Sequence, residues 1–85
     1  MKAEVKYMNP KRGMVAVLTE DEDFSVFELL GDELEIGDIV EWKGEHPLGG
    51  EDIVNLSKKE NIRVFFENHC VPKAQLGQQL LIEQR

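Results

Sequence analysis

Val5-Lys6-Tyr7-Met8-Asn9-Pro10-Lys11-Arg12-Gly13-Met14-Val15-Ala16-Val17 is the stretch that decides the fold. Residues 3–8 alternate loosely between apolar and polar, and Asn9-Pro10-Lys11-Arg12-Gly13 supplies the Pro and Gly of a tight reversal. Residues 13–19 then put Val15 and Val17 on one face and Met14, Ala16 and Leu18 on the other, the period of two that a strand imposes. The reading is strand, turn, strand. Glu20-Asp21-Glu22-Asp23 is too charged to pack and makes the next loop, and residues 24–30, rich in β-branched and aromatic side chains, make a third strand. An irregular crossing over 31–37 leads to a fourth strand over 38–44. Pro47-Leu48-Gly49-Gly50 joins it to a fifth over 51–56. Five short strands in this order predict an all-β Greek-key barrel.

The tail admits two readings. Ser57-Lys58-Lys59-Glu60 has the spacing of a helix capping box, and Ile62, Phe65, Phe66 and Cys70 would line one helical face. Ile62, Val64 and Phe66 also alternate, however, and Ile, Val and Phe are strand formers. Propensity therefore favours a sixth strand that ends before Pro72. A short helix over 72–82 follows, with Pro72 in its first turn and Leu76, Leu80 and Leu81 as an apolar stripe despite Gly77. Residues 1–57 are expected to form the barrel and 58–85 a C-terminal extension packed on the same single domain.

A chain of 85 residues holds one domain and buries about 60 to 65% of its unfolded surface. Hydrophobic residues at 41% and charged ones at 32% suit a soluble globular protein. Cys70 is the single thiol, so no intrachain disulfide forms and a reducing, cytoplasmic setting is expected. No apolar run approaches the roughly 18 residues of a membrane span. The net charge of −7 argues against a generic nucleic-acid binder, whose affinity comes from Lys and Arg displacing counterions. The acidity is uneven, though. Residues 20–57 carry thirteen acids and one Lys, while both ends of the chain are mildly basic. Such a run either forms a solvated face or recruits a basic partner.

Several segments resemble the cold-shock domain, a small five-stranded OB-type barrel. Lys6-Tyr7-Met8-Asn9 is similar to that family's Lys-aromatic-aromatic-Asn run, with Met8 in place of one ring. Arg12-Gly13-Met14-Val15-Ala16 corresponds to its Lys-Gly-Phe-Gly-Phe motif with both rings gone. Val26-Phe27-Glu28-Leu29 keeps the first two positions of Val-Phe-Val-His. Glu35 to Trp42 resembles the entry to the family's fourth strand, and Asp52-Ile53-Val54-Asn55-Leu56 its short fifth. The resemblance covers roughly residues 3–57 and implies single-stranded RNA or DNA as partner, with no cofactor and no enzymatic activity. The candidate nucleic-acid-binding residues are Lys6, Tyr7, Lys11, Arg12, Met14 and Phe27. Base stacking contributes roughly 1 to 3 kcal/mol per base, so the lost rings imply weak binding. The alternative is a module for dimerisation or for docking a protein partner on a barrel that has lost nucleic-acid binding.

Strand parity bears on these residues. Tyr7 follows Val5 by two positions, so it either packs in the core or is turned out by a bulge. Phe27 shares the parity of Ser25 and Leu29, opposite Val26, and is expected outside, where the tail would be able to cover it. Glu28 then falls where a buried Val is expected. Trp42 is read as core, with a base platform as the alternative. His46, His69 and Cys70 have no recognised metal spacing, and strand neighbours such as His69 and Cys70 point to opposite faces. The acidic loop lacks the spaced ligands of a calcium site, and Leu48-Gly49-Gly50-Glu51 lacks the Lys-Ser/Thr of a phosphate loop.

Overall fold

A computed structural model of the chain describes residues 1–81. Six strands, β1 (Lys2–Asn9), β2 (Met14–Thr19), β3 (Phe24–Leu29), β4 (Ile39–Glu41), β5 (Gly49–Asn55) and β6 (Glu60–Val71), close into a barrel in the order β1-β2-β3-β6-β5-β4. Every neighbouring pair is antiparallel. The barrel is thus two three-stranded meanders joined along the β3–β6 and β1–β4 seams.

The expected five-strand count is corrected to six. Residues 60–66 pair with β5 and residues 64–71 pair with β3, so one twelve-residue strand bridges two edges that would otherwise lie open. Residues 60–71 are therefore a barrel stave, and no boundary at 57/58 separates barrel from appendage. The capping-box reading of 57–60 is not realised. Asn55 Oδ1 accepts hydrogen bonds from the Ser57 and Lys58 amides at 3.1 and 3.3 Å and makes a turn, and Ser57 Oγ accepts from the Ile39 amide at 2.9 Å. Beyond β6 come a 3-10 turn (Lys73–Gln75) and the one-turn helix α1 (Leu76–Gln79). Ile82, the expected end of that helix, lies outside the described residues.

The β1–β2 turn forms as expected and needs its glycine. Gly13 has φ +66° and its carbonyl accepts from the Leu29 amide at 2.8 Å, so it both reverses the chain and abuts the end of β3. The 20–23 loop is closed by the Thr19 and Glu22 amides and by Thr19 Oγ1 donating to Asp23 Oδ1 at 2.9 Å.

Apolar residues sort into two clusters. Inside the barrel lie Val5, Val15, Val17, Phe27, Leu34, Val40, Trp42, Ile53, Ile62, Val64 and Phe66 with Ala3. Phe66 makes edge-type contacts with Phe27 and Trp42 at centroid distances of 5.4 and 5.0 Å. The second cluster is outside, where Leu76 and Leu80 cover Met14, Ala16, Phe24, Val26 and Val71. Burying two leucines in this way contributes about 1.5 to 3 kcal/mol each. No helix among the described residues is long and apolar enough to cross a membrane.

Candidate functional site

The six candidate residues do not share one surface. Facing residues of an antiparallel pair project to the same side, and Phe27 faces Val15, which is inside. Phe27 is therefore fully buried among Phe66 and its neighbours, and its expected outward position is corrected. Val26 takes the outer side instead, opposite Ala16. This parity also removes the anomaly at Glu28, which pairs with Met14 on the outer face and keeps contact with solvent. Met14 does face outward from the sheet, but α1 covers it and leaves it 4% exposed. Neither residue is available as a platform for a base.

Tyr7 is exposed by the bulge its parity requires. The β1–β2 register slips between Val5 and Tyr7, which lets Val5 point in, Tyr7 lie opposite outward-facing Ala16, and Met8 return to the interior cluster. Tyr7 is 39% exposed, with its ring tilted against Phe24 at 5.9 Å. Lys6 occupies the bulge and pairs with Glu4 at 3.1 Å. Tyr7 and Lys6 border two adjoining grooves of about 680 and 410 Å³ along one flank of the tail, and Lys73 borders both as well. Arg12 lines a third groove of about 440 Å³ with Met14, Glu28, Glu67 and Gln78. Lys11 is exposed in the β1–β2 turn. The tail thus divides the cations that the resemblance would bring together.

Lys73, Leu76, Leu80 and Phe24 shape this face without having been candidates. The spacing of Leu76 and Leu80 did mark an apolar stripe. What occupies the other side of that stripe is decided by β6, whose length brings the chain back across the sheet.

Two polar clusters lie elsewhere. Asp38 accepts hydrogen bonds from the Glu35 amide, Asn55 Nδ2 and Lys58 Nζ at 3.0, 3.0 and 3.1 Å. Burial raises its pKa, but these donors and the Lys58 charge outweigh burial and hold the carboxyl below its ordinary value of 3.8. Lys58, shared between Asp38 and Glu35, is held above its ordinary value chiefly by its hydrogen bond to Asp38. The cluster pins the 31–38 crossing against the turn after β5, which is a structural task. Near the opposite end of β5, His69 lies on the Phe66 ring at 5.0 Å. Its Nε2 donates to the Pro47 carbonyl, so Nδ1 is the acceptor for Ser25 Oγ at 2.7 Å. Burial lowers its pKa below the ordinary 6.5.

Cys70 is exposed and its Sγ sits 3.4 Å from His46 Nε2. Desolvation and the Asp23 carboxylate push its thiol up, away from the thiolate that nucleophilic chemistry requires. Among the described residues no three His, Cys, Asp or Glu side chains are arranged to hold a metal ion. Trp42 is buried beside Phe66. Neither a protein-family model, nor a curated protein, nor a solved structure matches the chain.

Proposed function

We propose that this protein is a non-catalytic interaction module whose outer β1–β3 face docks a short apolar segment of polypeptide. One observation carries the reading: that face is already engaged by polypeptide, with Leu76 and Leu80 seated on Met14, Ala16, Phe24 and Val26. A base-stacking surface needs flat, accessible rings beside cations. Here Phe27 is internal, Met14 is covered, and Tyr7 with Lys6 stands apart from Arg12. In this reading the likeness of residues 3–57 to cold-shock domains reflects an OB-type scaffold whose stacking face the tail has taken over. The acidic surface, net −7 over the chain, further disfavours phosphate backbones.

The test uses a labelled synthetic peptide of residues 71–85 and the full-length chain carrying Leu76→Ala and Leu80→Ala, which weakens the resident tail. Fluorescence anisotropy is expected to show saturable binding to this variant and at least about tenfold weaker binding to the unaltered chain, where the tail competes. A parallel titration with a single-stranded oligonucleotide at low ionic strength is expected to show no salt-sensitive binding. Oligonucleotide binding that falls with salt and is lost in Arg12→Ala, with no peptide binding, would overturn the proposal in favour of single-stranded RNA or DNA.

A further inference from the structure

The segment that fills the outer face is attached through a strained joint. β6 pairs with β3 from Leu29↔Val64 to Phe24↔Val71, and its register slips twice near the end, between Phe27↔Phe66 and Val26↔Asn68 and again between Val26↔Asn68 and Phe24↔Val71. Each slip leaves one extra residue on the β6 side, and Cys70 lies in the second with φ +54°. That left-handed position in a bulge is one glycine normally takes, and a side chain there is strained. The bend at Cys70 turns the chain through Val71 and Pro72 so that residues 73–80 fold back over their own barrel.

Little else fixes the segment in place. α1 is a single turn containing Gly77, with no side-chain cap at its N-terminus. An isolated helix of that length has no stability of its own. Its anchors are Leu76, Leu80 and the hydrogen bond from Asn9 Nδ2 to the Leu80 carbonyl at 2.8 Å, with Asn68 Nδ2 reaching Gln79 Oε1 at 3.5 Å. All of these contacts join the segment to a surface that a second copy presents identically. A chain straightened at Cys70 loses the left-handed conformation, and its segment keeps all of these contacts if it docks on a neighbour that docks back in the same way.

We infer that two copies of this chain exchange their C-terminal segments from residue 71 onward, forming a two-fold dimer in which each tail occupies the outer β1–β3 face of the other. The inference names one partner for the interaction module proposed above and rests on that reading. Docking in cis acts at an effective concentration on the order of mM, and relief of strain at two hinges per dimer brings exchange below that range.

Lys6 and Lys73 border the same two grooves, which supplies the readout. Full-length chain is prepared unlabelled and with uniform ¹⁵N, the two are mixed, unfolded and refolded together under reductant so that Cys70 forms no disulfide, and a short amine-reactive cross-linker is added. The expected result is a dimer whose population rises with concentration and whose Lys6–Lys73 cross-links join labelled to unlabelled chains. Cys70→Gly removes the left-handed penalty and is expected to weaken the dimer at least about tenfold; Cys70→Val worsens the penalty and is expected to tighten it. Both substitutions sit at an exposed position and leave the interior untouched.

A chain that stays monomeric up to about 1 mM, the effective concentration of docking in cis, overturns the exchange. So does a dimer whose Lys6–Lys73 links lie only within chains. In either case peptide binding to the Leu76→Ala, Leu80→Ala variant still stands or falls by itself, so failure of the exchange is told apart from failure of the interaction reading.

Discussion

β2 has two apolar faces that are buried in different ways. Val15 and Val17 point into a barrel closed by six strands, where Phe27, Trp42 and Phe66 interlock from three different strands or their ends. Met14 and Ala16 point outward and are covered by one short segment whose helix is a single turn. Burial is nearly complete on both faces, yet the inner one opens only when the barrel does, whereas the outer one opens when residues 73–80 lift away. Depth of burial alone does not rank stability; the number of independent chain segments that must move does. A face of the second kind is suited to exchanging one polypeptide partner for another.

Phe27→Ala tests the inner face most severely. It leaves a cavity beside Phe66 and Trp42 and is expected to cost about 3 to 5 kcal/mol, read as a lower urea midpoint with unchanged slope. Were Phe27 an exposed stacking residue, the same change would cost almost nothing. Leu80→Ala is the matching test of the outer face. It removes a comparably buried side chain but permits local release, so about 2 kcal/mol is expected, at the low end for such truncations. Hydrogen exchange should rise at the tail amides, among them that of Leu80, which donates to the Leu76 carbonyl, while β5 and the first half of β6 keep their protection.

The inner face was far more legible in the sequence than the outer one. Alternation and turn residues placed β1, β2, β3 and β5 within two residues of their ends, and the sixth strand followed from Ile62, Val64 and Phe66. Alternation misassigns the parity of β3 because Phe24, Val26 and Phe27 offer apolar residues to both sides. With both faces buried, alternation no longer says which side is the interior; only pairing with β2 decides that Phe27 goes with Val15. The bulge that exposes Tyr7 was legible as a condition, since Val5 and Tyr7 could not both keep strict alternation and differ in burial. The place of the tail was not. Leu76 and Leu80 announced an apolar stripe, but its destination depends on a bend at Cys70, a residue type that carries no signal for left-handed backbone.

Asn9→Ala isolates the outer face from both cores. Asn9 Nδ2 donates to the Leu80 carbonyl from the end of β1, so the substitution cuts a tether without deleting any buried apolar group. The expected loss is about 1 kcal/mol in tail docking. Hydrogen exchange at the tail amides should rise by roughly fivefold, the equivalent of that energy, while the global urea midpoint moves little. A large drop in global stability instead would mean that the tail and barrel open together and would remove the distinction between the two faces.

The mildest expected effect separates the faces by pH. His69 belongs to the inner side, stacked on Phe66 and tied to Ser25 and Pro47, with His46 and Asp23 as its charged or titratable neighbours. Burial depresses its folded pKa, so the folded state favours the neutral ring. The stabilisation is fully present above the unfolded value of 6.5 and is lost as pH falls through the lower folded value. Asp38 stays ionised through this window, because its carboxyl is held below 3.8 and its contribution disappears only as pH falls beneath that value. Urea midpoints taken between pH 7.5 and 5 should therefore decline, and His69→Gln, which retains a donor for the Pro47 carbonyl, should flatten the decline. Tail exchange protection holds no titrating anchor in Leu76, Leu80 or Asn9, so its difference from the barrel should narrow as the pH drops. A slope unchanged in His69→Gln would place the acid sensitivity elsewhere and show that the ring at the barrel end is not what couples pH to the inner core.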